Sequence, residues 1–112
     1  PYLIDKMMED FFIHYEKQKR ILHPILLAAE MHERLVTIHP FVDGNGRTSR
    51  LLMNFILLKN GFTLTILKGD NTSKSKYFKS LEDVRVNNDP NHFYELIVDR
   101  VIASLEEHLE LV

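Results

Sequence analysis

The sequence predicts an all-α fold, a helical bundle around a central buried helix running from Arg47 to Lys59. Three observations predict it. Apolar residues recur at three- and four-residue steps in five separate stretches. Helix start and stop signals stand between those stretches: Pro24, Pro40, the pair Asn60-Gly61, and the pair Asp89-Pro90. Only one short run, Thr63 to Leu67, is weakly alternating and β-branched, so at most one short strand is expected.

The first helix carries Leu3, Ile4, Met7, Met8, Phe11, Phe12 and Tyr15 on one side and Asp5, Lys6, Glu9 and Asp10 on the other. The pattern is already running at Tyr2. Glu16 to Arg20 reads as a charged, solvated connection. Pro24 suits the first turn of a second helix, where its missing N–H has no partner to lose. Ile25, Leu26, Ala28, Ala29, Leu35 and Ile38 give that helix a wide apolar face, and Pro40 stops it by pushing the residue before it out of helical dihedrals. The third helix, Arg47 to Lys59, has apolar residues at 51–53 and 55–58 and almost no polar face, which predicts burial on nearly all sides. Asn60 and Gly61 end it. Lys68 to Thr72 reads as a polar loop. Ser73 then opens a fourth helix with Tyr77, Phe78, Leu81 and Val84 on one side, ending near Asn87 and Asn88. Asp89 and Pro90 start the last helix, whose apolar positions run from Phe93 to Leu109.

At 112 residues the chain is expected to form one domain with a single core. It opens on Pro1 rather than methionine, so residues 1–112 are expected to be the core of a longer gene product, truncated upstream. There is no cysteine, hence no disulfide framework and no thiolate metal site; together with the lack of a leader peptide or a long apolar run, this gives a cytoplasmic expectation. A net charge of −2 removes the broad basic footprint of a nucleic-acid binder, so no nucleic-acid or membrane partner is expected from this segment. The fourteen Lys and Arg residues must act locally.

They do so in the stretch from His39 to Arg50, HPFVDGNGRTSR. A helix N-terminus presents N–H groups without intrahelical partners and the positive end of the macrodipole, so it attracts anions and above all phosphates. Gly44 and Gly46 allow the backbone to approach such an anion, and Asn45 between them tolerates unusual dihedrals and adds an amide donor. Arg47 and Arg50, three residues apart, can clamp further phosphate oxygens from one side of the first turn. More than one phosphate is therefore expected. Asp43 would repel a polyphosphate unless a hard cation lay between them, which is how Mg²⁺ is commonly held. His39 can act as a general base toward an attacking hydroxyl, the role for which an imidazole is the usual side chain. Any one of these residues alone would be an ordinary turn, cap or surface residue; their order is what points to a nucleoside triphosphate site with Mg²⁺ and a base.

Competing motifs fail on their letters. Gly44, Gly46 and Ser49 have the spacing of a dinucleotide fingerprint, but a helix rather than a strand precedes them. No lysine follows in P-loop fashion. His32 and Glu33 begin like a zinc-protease helix, yet Val36 stands where the second histidine belongs. His14, His23, His92 and His108 read as surface or cap residues, and Met7, Met8, Met31 and Met53 as core.

The stretch HPFVDGNGRTSR resembles, at each defined position, the HPFx(D/E)GNGRxxR signature of Fic domains. The resemblance extends from LHP at Leu22 to Pro24, through RTSRLLMN, to SKYF at Ser75 to Phe78, and so covers nearly the whole chain. It implies an all-α fold and a protein adenylyltransferase, moving AMP from ATP to a Tyr, Thr or Ser hydroxyl of a target protein, with AMP removal as a second, regulated direction. It implies that His39 is the catalytic base and that Phe41 anchors the loop in the core. Asp43 would hold Mg²⁺, and Gly44, Asn45, Gly46, Arg47, Thr48 and Arg50 would complete the nucleotide contacts. Tyr77 and Phe78 would lie near the adenine.

Two departures stand out. Arg85 occupies the position, eight residues after the tyrosine, where many related sequences carry asparagine, and Ser104 is followed by His108 where an inhibitory motif would have glutamate. The flap that aligns the target segment, and any inhibitory helix, would lie before Pro1. Two other functions are weighed against AMP transfer: a Fic-fold transferase of phosphate or another nucleotide, and an ATP-binding regulatory module without transfer. A homodimer is left open.

Overall fold

The computed structural model describes residues 2–111, the side chain of Tyr2 excepted. Among them are five α-helices and no strand: α1 Tyr2–Gln18, α2 Pro24–Ile38, α3 Asn45–Lys59, α4 Asn71–Asn87 and α5 Asn91–Leu111. None of these helices is long and apolar enough to cross a membrane. The chain divides into two units, one ending at Asn60 and the other starting at Gly61.

In the first unit α2 packs on both α3 and α1. Its buried face, Leu27, Ala28, Met31, His32 and Leu35, follows the helical repeat, and the fully buried Ala28 and Ala29 leave room for close approach. The matching face of α3 is Asn45, Ser49, Met53, Ile56 and Leu57, polar in its first turns and apolar beyond. Burial of α3 is one-sided, in contrast to the all-round burial its composition predicts. Leu51, Phe55 and Leu58 are exposed, because among the described residues of this unit α2 is the helix that packs extensively on it. Phe11 of α1 is buried, whereas Met7 and Met8 are only half-buried. His14, expected at the surface, instead makes a half-buried hydrogen-bonded contact with Glu30 of α2, which also meets Arg34. Burial pulls the His14 pKa below its ordinary value, aided by Arg34 and against the pull of Glu30. α1 runs on through Gln18, so the charged segment from Glu16 is helical over half its length.

In the second unit α4 packs on α5, with Phe93, Ile97 and Val101 fully buried. Residues 63–67 form no strand. Thr65 is buried, and the Ile66 carbonyl accepts from Arg100 Nε at 3.1 Å, so the segment is held by a side chain instead of a second strand. α4 starts two residues before Ser73, because Asp70 serves as its N-cap and accepts from the Ser73 N–H at 3.0 Å. Asn88 ends it in the left-handed conformation, φ 51°. Asp83 gathers the junction to α5: its carbonyl accepts from the Asp89 N–H at 3.1 Å, and its carboxylate meets His92 at 3.0 Å and Asn87 at 3.2 Å.

Candidate functional site

The site grows from the end of one helix and the start of the next. Pro40 prevents α2 from continuing, and His39 takes its C-cap in the left-handed region, φ 54° and ψ 56°, with its N–H donated to the Leu35 carbonyl at 3.1 Å. A non-glycine residue held there costs about 1–2 kcal/mol, so this backbone is fixed by its surroundings and not by its own preference. The His39 side chain stands exposed at the mouth of the loop.

Asn45 closes that loop. Its Oδ1 accepts from the Phe41 N–H at 2.9 Å and its Nδ2 donates to the Phe41 carbonyl at 2.8 Å, while the residue itself is 6% exposed. The two bonds fix the amide's orientation and engage the group that the sequence assigns to phosphate. They also replace the expected anchor. Phe41 is 49% exposed instead of seated in the core, because the loop is tied down through its peptide group and not its ring.

Gly44 then sits at φ 80°, ψ 13° as the N-cap of α3 and offers no side-chain capping bond. The helix's first backbone bond runs from the Thr48 N–H to the Gly44 carbonyl at 2.9 Å. The N–H groups of Asn45, Gly46 and Arg47 therefore precede the helical ladder, without an intrahelical acceptor. α2 and α4 begin otherwise: the ring of His23 accepts from the Ile25 N–H at 3.1 Å, and Asp70 caps α4. Gly46 has a packing reason as well, since a Cβ there would lie 3.2 Å from Arg50 Nη1. The Arg50 guanidinium is thus folded back over the first turn.

These groups line a cavity of about 470 Å³ formed by His39, Val42, Asp43, Gly44, Asn45, Gly46, Arg47 and Arg50. Every expected residue of the motif except Thr48 faces it; Thr48 is half-buried on the same turn. Tyr77 and Phe78 belong to the second unit, on α4, where the Tyr77 ring packs against Phe78 at 5.2 Å and Phe93 at 6.2 Å between centroids. There Tyr77 lines a separate cavity of about 540 Å³ with residues of α4 and α5.

Asp43 is the lone carboxylate of the motif cavity, and its Oδ1 accepts from the Gly44 N–H at 2.8 Å. Among the described residues no three His, Asp or Glu side chains gather into a metal cage. One carboxylate beside two guanidinium groups does not suit zinc, which takes several protein ligands. It does fit Mg²⁺, which keeps one or two carboxylates and draws its other ligands from phosphate and water.

Sequence reasoning missed one residue, His32. It is fully buried on α2, and its ring hydrogen-bonds the Ser49 backbone of α3. Burial is the largest influence on it and lowers its pKa to about 4, the Ser49 bond opposing and the Arg50 charge adding to the shift. Its signal was its position, four residues after Ala28 and three before Leu35, on the face that the apolar pattern marks as buried.

The Fic/DOC family profile matches residues 1–57. The protein adenylyltransferase Fic of Drosophila virilis is 43% identical over 88 residues, covering 79% of this chain and 18% of that protein. Its namesake from Drosophila melanogaster is equally similar, with 17% of its length covered. This chain therefore spans less than a fifth of the length of these curated relatives. Among solved structures, Fic-1 from C. elegans superposes with a TM-score of 0.86 at 30% identity, over 100% of this chain and 33% of the other. A Fic domain containing signaling protein from Bacteroides thetaiotaomicron gives 0.85 at 32% identity, over 95% and 44% of the two chains. With a helical fold of the same form, the HPFVDGNGRTSR loop folded around one cavity, and the profile match over half its length, the chain belongs to the Fic/DOC family.

Proposed function

We propose that this chain is the nucleotide-binding and transfer core of a protein adenylyltransferase, moving AMP from ATP to a hydroxyl on a target protein. The observation that carries the proposal is the cavity in which His39, Asp43, the uncapped first turn of α3 and both arginines converge. The curated relatives named above support it, being protein adenylyltransferases themselves. In this reading the N–H groups of Asn45, Gly46 and Arg47 receive phosphate oxygens, and the Arg47 and Arg50 guanidinium groups neutralise the charge around them. Asp43 would hold Mg²⁺, which supplies charge neutralisation between phosphates when bound. His39 accepts the proton of the target hydroxyl as its oxygen bonds to the α-phosphorus; the bond from that phosphorus to the bridging oxygen breaks, and pyrophosphate leaves with the electron pair. The target is a separate protein.

The test uses ATP labelled at the α-phosphate and, separately, at the γ-phosphate, with cell lysate as the source of targets. Label transferred to protein from the α-position only, and lowered at least about 100-fold by His39→Ala while ATP still binds, is the expected result. Transfer from the γ-position would instead mean phosphotransfer. Binding without transfer from either position would leave a nucleotide-sensing module.

A further inference from the structure

The nucleotide reading gives His32 no role, yet this residue sits in the middle of the core of the first unit. It is fully buried between α2 and α3, on the same face as Ala28, Met31 and Leu35. An apolar side chain would fill that place without the desolvation cost of an imidazole, so its position calls for an account. The ring hydrogen-bonds the Ser49 backbone. The Ser49 hydroxyl donates to the Asn45 carbonyl at 2.8 Å, and the Asn45 amide holds the Phe41 peptide by its two bonds. A continuous polar chain thus runs from the middle of α2, through the first turns of α3, to the loop that follows His39.

The geometry of the site depends on one quantity above others. His39 caps the end of α2, and the uncapped N–H groups open α3, so the axial register of α2 against α3 sets the spacing between base and anion nest. The apolar contacts of Ala28, Met53, Ile56 and Leu57 are non-directional and hold the two helices together without a fixed partner atom. A buried hydrogen bond between the two helices is directional and adds such a partner. We propose that His32 is a positioning residue, which locks the register of α3 on α2 and thereby sets the first turn of α3 opposite His39. Its consequence for ATP rests on the nucleotide reading; the lock itself does not.

Two substitutions in the chain test it, each read by hydrogen–deuterium exchange without ligand and by calorimetric titration with ATP and Mg²⁺. His32→Leu keeps an apolar side chain of similar volume and removes the hydrogen bond; His32→Gln keeps a donor. His32→Leu is expected to speed exchange in residues 44–50 about tenfold, with residues 54–60 unchanged, and to weaken ATP binding by a similar factor, while His32→Gln recovers most of both. Wild-type exchange throughout residues 44–50 in His32→Leu would overturn the proposal, as would faster exchange spread evenly along α3. Should His32→Leu not fold, His32→Gln decides alone: retained wild-type exchange in 44–50 supports the lock, and faster exchange there overturns it. Failure of the wild-type chain to bind ATP would count against the nucleotide reading and leave the exchange result to judge the lock.

Discussion

Helices α3 and α4 follow one another in the chain and begin in opposite ways. Asp70 caps α4 in the ordinary manner, and the Ser73 N–H finds a carboxylate oxygen at 3.0 Å. Gly44 opens α3 with no side chain at all, in the left-handed region, and the acidic residue beside it, Asp43, bonds the Gly44 N–H and not the helix's first turn. The same chemistry of orphan N–H groups is resolved within the chain at one helix and left open at the other. The start of α4 serves stability, and the start of α3 gives stability up. The groups that make α3 tolerable lie behind it, in the buried contacts of Asn45, Ser49 and His32.

Acid should separate the two helix starts most strongly. His32 has a folded pKa of about 4 against the ordinary solvent-exposed value of 6.5, so the unfolded chain binds a proton between those limits that the native chain does not. Stability from this group is complete above pH 6.5 and is lost as pH falls toward 4, by about 3 kcal/mol at full extent. Urea denaturation followed between pH 7 and pH 4 measures it, and His32→Leu should remove most of the slope in that window, the remainder belonging to His14, whose pKa burial also lowers. A wild-type curve that is flat from pH 6.5 to pH 4.5 contradicts the prediction.

Next in size is Gly44→Ala. Nothing crowds a Cβ at Gly44, so the cost comes from its φ of 80° alone and should be about 1–2 kcal/mol in unfolding free energy. Gly46→Ala should move stability the other way. Position 46 is helical, so alanine favours the fold by up to about 1 kcal/mol, while the new Cβ, 3.2 Å from Arg50 Nη1, makes the guanidinium give by a few tenths of an ångström and is expected to weaken ATP binding slightly. Equal affinity for wild type and Gly46→Ala would show that Arg50 does not reach the nucleotide from this position. The smallest effect belongs to Asp70→Ala, which removes a solvent-exposed cap: thermal stability falls slightly and ATP affinity stays unchanged, and a measurable loss of affinity would blur the contrast between the two helices. The Asp70 carboxyl is held below its ordinary pKa by the Ser73 backbone N–H, so its contribution is present above the ordinary carboxylate range and lost as pH falls through the folded value.

Local signals carried most of the fold. Pro24, Asn60-Gly61 and the alternation of faces along α1, α2 and α5 depend on neighbours within a turn or two, and they place helices within a few residues of where they lie. The starts of α3 and α4 were harder to place, because Asn45 and Asn71 are poor helix formers that tertiary contacts and a cap draw into the first turn. The motif was legible because its residues are contiguous, so one loop brings them to one cavity. What escaped were pairings across the chain. The His14 to Glu30 contact and the His32 to Ser49 bond join residues 16 and 17 positions apart, and no spacing rule announces such partners. Composition also overstated the burial of α3, since Leu51, Phe55 and Leu58 lie on a face that its letters cannot distinguish from the buried one.

The Asn45 clasp has a bearing on how the protein ages. Asparagine followed by glycine is the dipeptide most prone to deamidation, in which the glycine nitrogen attacks the side-chain carbonyl and ammonia is lost. The chain has two such pairs, Asn45-Gly46 and Asn60-Gly61. At the first, both polar atoms of the amide are bonded to Phe41 and the pair is wound into a helix, so the attacking geometry is withheld. At the second, the amide has one bond, to the Ile56 carbonyl at 2.7 Å, and Gly61 lies beyond the helix at φ 88°. Chemical wear in the folded protein should therefore begin at Asn60. While the clasp at Asn45 holds, the loop is spared a second carboxylate beside Asp43, a charge that would repel the phosphates of the proposed nucleotide.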